Sequence, residues 1–244
     1  MERPEWCKPS SLSEALAQLA EAPDESKILA GGQSLAVMLR SRLLRPRRLI
    51  YLGALQELQE IREGDGRLTI GAMVTDRRLE TDPQVGRAVP LLAEAAGRIA
   101  SVHIRNLGTI GGNLCHTLIG ADLPPALLAL DARLQVARRG GRRTIPVDQF
   151  FRGVMETALE PEEVLTHIEL APAAPPQWGT AYEKLAVRTV DPAIVGVAVA
   201  LQLDERGRVR QVRIGIGGAG EVPVRSRHLE AALLGATRTE VGER

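Results

Sequence analysis

Two glycine-centred segments, Ala30-Gly31-Gly32-Gln33-Ser34-Leu35 and Thr109-Ile110-Gly111-Gly112-Asn113, hold the residues best suited to chemistry in this chain. A glycine pair lets the main chain approach a ligand closely and adopt φ > 0, so that bare N–H groups neutralise a pyrophosphate without a lysine. Neither segment has P-loop spacing. Both carry small hydroxyl or amide side chains, Gln33, Ser34, Thr109 and Asn113, which complement backbone donors. A Gly-Gly pair is common in ordinary turns, and Gly217-Gly218 is expected to be one. Two such segments converging on one diphosphate point instead to a bound dinucleotide.

Other chemistries lack their parts. His103, His116, His167 and His228 show no H-x-x-x-H spacing, and there is no G-x-S-x-G elbow. His167 sits in the alternating run Val164–Leu170 and reads as a solvent-facing strand residue, whereas for His103 and His116, flanking the second segment, cofactor-adjacent and packing roles both stand. Cys7 and Cys115 cannot build a zinc site or an iron–sulfur cluster, so any such group must sit on a partner. With 31 basic and 30 acidic residues the chain has no global field to draw nucleic acid or an anionic membrane. Its densest basic patch, Arg138-Arg139-Gly140-Gly141-Arg142-Arg143, reads as a solvated hairpin turn. Met1–Trp6 has no apolar export signal and no later run is long enough to span a membrane, which predicts a cytoplasmic protein.

The elements that must position the glycines follow from periodicity. Ser11 caps a helix with Leu12, Ala15, Leu16 and Leu19 on one face, and Ser11-x-x-Glu14 has the form of a capping box. Lys27–Ala30 reads as a strand entering the first segment, and a helix from Leu35 through Leu39 towards Leu43 and Leu44 is ended by Pro46. Strand, glycine turn, helix is a phosphate-binding order. A strand at Leu49–Leu52 completes a small βαβ-like unit. Ile61–Glu63 and Arg67–Gly71 flank an Asp65-Gly66 hairpin turn, and helices are predicted at Thr75–Glu80, Leu91–Ile99 and Leu123–Leu130. Strands are predicted at Leu134–Ala137, Thr144–Val147 and Val164–Leu170. The small and rigid residues Ala171-Pro172-Ala173-Ala174-Pro175-Pro176 read as a linker. It divides residues 1–175 (a small lobe of about 1–54 and a larger one of about 55–175) from residues 176–244. Beyond it lie strands at Thr180–Arg188, Ile194–Leu203 and Val209–Ile216, then a helix at Arg227–Leu234.

Together with Ile104-Arg105-Asn106 before the second segment and Asp122-Leu123-Pro124-Pro125-Ala126 through Ala132 beyond it, these motifs resemble the FAD-binding medium subunit of molybdenum hydroxylases. Carbon monoxide dehydrogenase and aldehyde dehydrogenase medium chains are the most similar branch, and xanthine dehydrogenase embeds the same domain. The resemblance runs from about Lys8 to about Gly235. It implies an α+β fold: a two-lobed FAD-binding domain of the vanillyl-alcohol-oxidase (PCMH) type, then a small, shortened C-terminal α+β domain of the carbon monoxide dehydrogenase flavoprotein type.

The same resemblance implies non-covalent FAD. Ala30, Gly31, Gly32, Gln33, Ser34 and Leu35 would line the pyrophosphate on one side and Thr109, Ile110, Gly111, Gly112 and Asn113 on the other. Asp122 matches an acid that contacts the cofactor, Leu165 a contact near the flavin, Lys184 a basic residue at the cofactor and Ile99 an apolar position. No catalytic or metal-ligating residue is implied on this chain. A molybdenum cofactor and [2Fe-2S] clusters would sit on a large and a small partner subunit of a heterohexamer, with electrons leaving for an external acceptor. Where many relatives have His-Ala-Asp-Pro, this chain reads His116-Thr117-Leu118-Ile119, and it lacks the inserted cysteine cluster of the benzoyl-CoA reductase branch. Arg188 and Asp191, in the loop after Lys184, either tune the flavin or form a surface turn. Two other functions compete: a self-sufficient flavin oxidoreductase of the same fold, and a bridging subunit without FAD.

Overall fold

The computed structural model of the chain describes residues 4–174 and 177–241. Its small lobe begins with β1 (Glu5–Cys7) and α1 (Leu12–Glu21). The Ser11 hydroxyl accepts from the Glu14 N–H at 3.2 Å, but the Glu14 carboxylate reaches back to the N–H and hydroxyl of Ser10 rather than to Ser11. The capping box is thus displaced by one residue on its return bond, with the helix start still satisfied. β2 (Ser26–Leu29), α2 (Leu35–Arg40) and β3 (Arg48–Tyr51) follow, and β1 and β2 flank β3 in a parallel sheet. α2 stops well before Pro46 because Arg42 turns left-handed at φ 61°, which leaves Leu43 exposed.

The larger lobe opens with the expected hairpin, β4 (Ile61–Gly64) and β5 (Arg67–Gly71), around Asp65 and Gly66 at φ 51° and 69°. Helices α3 (Asp76–Thr81), α4 (Pro83–Ala88), α5 (Pro90–Gly97), α6 (Val102–Arg105), α7 (Ile110–His116) and α8 (Leu123–Ala129) come next. Strands β6 (Arg133–Arg138), β7 (Gly141–Pro146), the short pair β8 (Phe151–Gly153) and β9 (Glu156–Thr157), and β10 (Val164–Leu170) complete it. The main sheet is antiparallel in the order β4-β5-β10-β6-β7, and Ile70, Leu134 and Ile168 share one core with Leu92, Ala96 and the wholly buried α8. A bulge between Leu165 and His167 breaks the inside–outside alternation of β10. His167 is therefore half-buried rather than solvent-facing, and burial pushes its pKa down.

The C-terminal part adds β11 (Gly179–Leu185), β12 (Val195–Leu203), β13 (Val209–Gly217) and β14 (Val224–Arg225) as an antiparallel sheet, then α9 (Arg227–Leu233) and α10 (Arg238–Val241). Trp178, Tyr182, Ala198 and Ala200 belong to the core of the larger lobe, and Val209, Val212 and Ile214 make only a small satellite. Glycines permit this close seating. A Cβ on Gly215 would lie 2.0 Å from the Pro125 carbonyl oxygen, and one on Gly217 2.8 Å from Pro125 Cγ. Gly217 is thus a packing position as well as part of a turn, while Gly218 turns the chain at φ 83°. The described part of the expected linker is pinned at Ala173, which is buried and whose N–H donates to the Ala88 carbonyl at 2.9 Å. Pro175 and Pro176, where the domain boundary was expected, lie outside the described residues, as do Met1 to Arg3. Among the described residues no helix is long and apolar enough to cross a membrane.

Candidate functional site

The first glycine segment leaves β2 and enters α2 with its donors unused. Among the described residues the N–H groups of Gly31, Gly32, Gln33, Ser34 and Leu35 have no acceptor, although the carbonyls of Gly32 and Ser34 already serve the helix. Gly32 adopts φ 73°, and the Gln33 side chain donates to the Gly31 carbonyl at 3.3 Å. Five consecutive free amides in a turn with a left-handed glycine form a concave donor surface for an anion.

The second segment has a different construction from the one expected. Thr109 to Asn113 is not an open turn but the start of α7, with Thr109 as its cap. Its donors are committed: Ile110 to Val74 O at 3.0 Å, Gly111 to Ala72 O at 2.9 Å, Gly112 to Thr109 Oγ1 at 3.1 Å and Asn113 to Thr109 O at 2.9 Å. The glycines are needed for contact. A Cβ on Gly111 would sit 2.7 Å from the Ala72 carbonyl oxygen, and one on Gly112 would meet Ala30 Cβ at 3.7 Å. The two segments cross where a Cβ on Gly31 would lie 1.7 Å from Leu107 O and 3.1 Å from Gly108 Cα. Just before the crossing, the Arg105 guanidinium binds Glu80 at 2.9 Å and the carbonyls of Ile99 and Ala100 at 2.7 and 3.1 Å, tying α6 to α3 and to the end of α5.

Between the segments lies a cavity of about 800 Å³. Of the residues expected at the cofactor, Ala30 to Leu35, Ile99, Thr109, Gly111, Gly112, Asn113, Asp122 and Leu165 line it. Two do not. Ile110 is fully buried in the core, because its side chain points from the first turn of α7 away from the cavity. Lys184, on β11, stands behind Asp122: its Nζ donates to Asp122 Oδ2 and to the Arg98 carbonyl, both at 3.0 Å, with only 3% of the side chain exposed. Tyr182 donates its hydroxyl to Asp122 Oδ1 at 2.7 Å. Burial pushes the Asp122 carboxyl up, against the lowering pull of Tyr182 and Lys184, and pushes the Tyr182 hydroxyl up as well. The C-terminal sheet thereby orients an acid that belongs to the larger lobe.

Sequence reasoning missed Tyr182 as a partner of Asp122 and missed Asp76 altogether. Asp76 lines the cavity, is 2% exposed, and has an Oδ1 without any hydrogen bond. Burial is the largest influence on its carboxyl, which is pushed up to about 7. The half-buried His116, also in the lining, has its pKa lowered by burial. Among the described residues no cluster of acids, histidines and cysteines could hold a metal.

An anion-binding glycine turn facing a long cleft, with apolar walls and few charges, is the site of a dinucleotide-binding protein. Comparison with known proteins makes the class specific. Residues 2–173 match the FAD binding domain in molybdopterin dehydrogenase, and residues 180–241 match the CO dehydrogenase flavoprotein C-terminal domain. The carbon monoxide dehydrogenase medium chain of Hydrogenophaga pseudoflava is 38% identical over 236 residues, 97% of this chain and 82% of that one. Among solved structures, carbon monoxide dehydrogenase from Hydrogenophaga pseudoflava lacking the Mo-pyranopterin moiety superposes with TM-score 0.94 at 40% identity, over 98% of this chain and 83% of that one. Quinoline 2-oxidoreductase from Pseudomonas putida 86 gives 0.90 at 35% identity, over 97% and 81%. This chain belongs to the FAD-binding medium-subunit family of molybdopterin dehydrogenases, with the fold its motifs implied, and its relatives are oxidoreductase subunits.

Proposed function

We propose that this chain is the FAD-carrying electron-transfer subunit of a molybdenum hydroxylase, taking electrons from an iron–sulfur subunit and delivering them to an external acceptor. The observation that carries the reading is the run of five unpartnered amides at Gly31–Leu35, set in a cavity large enough for a dinucleotide. These amides would hold the diphosphate. Thr109, Gly111, Gly112 and Asn113 form the opposite wall, with the amides of all but Thr109 already spent on the fold, so they would act by close backbone approach and side-chain contact. Asn113 Oδ1, buried and without a partner, is a free acceptor there. Ile99 and Leu165 supply apolar walls, Asp122 a polar contact, and Lys184 and Ile110 support the site from behind.

When bound, FAD supplies a centre that accepts electrons singly and releases them in pairs, while the protein contributes position and electrostatics. A molybdenum cofactor and [2Fe-2S] clusters belong on the large and small partners, in a heterohexamer located in the cytoplasm. Residues 1–175 would hold the cofactor and residues 176–244 would form the covering domain.

The test is an absorption spectrum of the purified chain with and without added FAD, followed by release and identification of the chromophore. Stoichiometric, acid-releasable FAD supports the reading, and co-purification with an iron–sulfur and a molybdenum subunit supports the assembly. A chain that binds no FAD either alone or with those subunits refutes it.

A further inference from the structure

Asp76 is the first residue of α3, directly after the capping Thr75, and among the described residues no cation pairs with it directly, although the Arg105 guanidinium acts on it from a distance. It is 2% exposed, and among the described residues neither carboxyl oxygen takes part in a hydrogen bond or ion pair. Its Oδ2 lies 2.5 Å from where a Cβ on Gly108 would stand, so the missing side chain of Gly108 is the space the carboxyl occupies. Gly108 is the same residue against which Gly31, the first glycine of the anion turn, is packed. Asp76 and the free amides thus line one cavity from either side of a single glycine.

Few charges surround the carboxyl. Arg105 on α6 is hydrogen-bonded to Glu80 and two carbonyls and favours the charged carboxylate only from a distance, an effect smaller than that of burial, and Asp122 before α8 is a second acid that opposes it. On its own helix Arg77 binds Glu80, and Arg78 binds Asp82 and the Gln59 carbonyl. From α5, Glu94 accepts from the Tyr182 N–H and Arg98 acts on Asp122. A buried carboxylate without a donor, facing an acid and about to meet a diphosphate, is disfavoured against the neutral acid, whose O–H is a donor for a phosphate or sugar oxygen.

We propose that Asp76 contacts the dinucleotide beside its diphosphate as the neutral carboxylic acid, so that at alkaline pH, where the free carboxyl is ionised, each cofactor bound takes up one proton. The inference rests on the FAD reading above and adds a residue and a proton to it. No covalent step is involved: the proton comes from solvent and stays on the Asp76 carboxyl. Because the free carboxyl titrates near 7, affinity is full below that pH and weakens as pH rises through it.

The experiment is FAD titration of the intact apo chain between pH 6.5 and 9, for wild type and Asp76→Asn, with calorimetry of wild type in buffers of different ionisation enthalpy. The wild-type Kd should rise by about tenfold per pH unit above 7, the slope of one linked proton. Calorimetry at pH 8 should report close to one proton taken up. Asp76→Asn, which keeps the shape and a donor, should bind with a pH-independent Kd within about threefold of the wild-type value at pH 6.5. Burial pushes the His116 pKa down, away from this range, and the Asn variant reports any slope that does not belong to Asp76. A wild-type Kd that is flat or falls with rising pH, no proton uptake, or an Asn variant with the wild-type pH slope would overturn the inference while leaving FAD binding intact. No FAD binding by wild type at any pH overturns both.

Discussion

Substituting Gly31 with alanine tests the crossing on which the site depends. The new Cβ would lie 1.7 Å from Leu107 O and 2.6 Å from its carbonyl carbon, both backbone atoms of a turn held by the Leu107 and Gly108 N–H groups donating to Ile104 O. Ordinary contact begins at 3.4 Å, so the two main chains must part by about 1.7 Å. Overpacking of this kind costs about 1–3 kcal/mol, and rigid neighbours place Gly31→Ala at the upper end. The movement also turns the amides from Gly31 to Leu35 away from one another. Losing two charge-assisted hydrogen bonds of about 1.5–3 kcal/mol each weakens FAD binding by about a hundredfold to ten-thousandfold. Flavin fluorescence titration reads the affinity and thermal unfolding of the apo chain reads the stability. Gly86→Ala is the control: it lies exposed in α4 with nothing within 4 Å of a Cβ, and should gain about 0.4–1 kcal/mol with FAD binding unchanged. If Gly31→Ala bound FAD within about threefold of wild type, the convergence of the two segments would not be what builds the site.

Lys184→Met strands the Asp122 charge in a pair whose side chains are 3% and 5% exposed, and should cost about 3–5 kcal/mol in urea unfolding, with Asp122→Asn restoring most of it. A loss below 1 kcal/mol would mean that Asp122 is already neutral in the wild type. Tyr182→Phe removes one donor to the same acid and should cost about 1–3 kcal/mol by thermal unfolding, with no change in secondary structure by circular dichroism. In the apo chain Asp76, raised from 3.8 to about 7, stabilises fully below pH 4 and loses that contribution as pH rises through 7. Asp76→Asn should therefore gain on the order of 4 kcal/mol over wild type between pH 4 and pH 8, from the shift of about three units. An equal difference between the two proteins at both pH values would contradict the burial argument.

Much of the site was legible because its constraints are local. A glycine that must approach another backbone, a hydroxyl at a helix cap and a proline in the first turn of α8 are each visible one residue at a time. What was missed depends on distance in sequence. Gly111 and Gly112 read as an open turn because two adjacent glycines disfavour a helix, yet the approach of Ala72 to within 2.7 Å of a Cβ position on Gly111 demands a glycine there inside one. Asp76 looks like an ordinary acid at a helix start, where it would complement the dipole. Only the fold reveals that it is buried against Gly108 and the cavity. The segment at Ala173 has the composition of a loose tether, yet Ala173 itself is buried and bonded to the Ala88 carbonyl, a partner that no local pattern names. β1, α4 and α6 are too short for periodicity to register.

The C-terminal sheet matters to the site even though it contributes none of the amides. Tyr182 and Lys184 lie two residues apart on β11, so both side chains leave the same face of the strand and meet Asp122 from one direction. β12 pairs with β11 across Gly196, where a Cβ would lie 2.5 Å from the Tyr182 hydroxyl, so the phenol has room only because that position is glycine. β13 presses Gly215 against Pro125, three residues beyond Asp122, and so fixes the start of α8. Three successive strands therefore act on one carboxylate. With Lys184 matched to Asp122 and Asp76 neutral, these two acids add no net charge against an incoming diphosphate. The attraction is left to the amides of Gly31–Leu35, whose orientation is set by the crossing at Leu107 and Gly108. Cofactor recognition and the seating of the C-terminal sheet are consequently one structural problem, joined at Asp122.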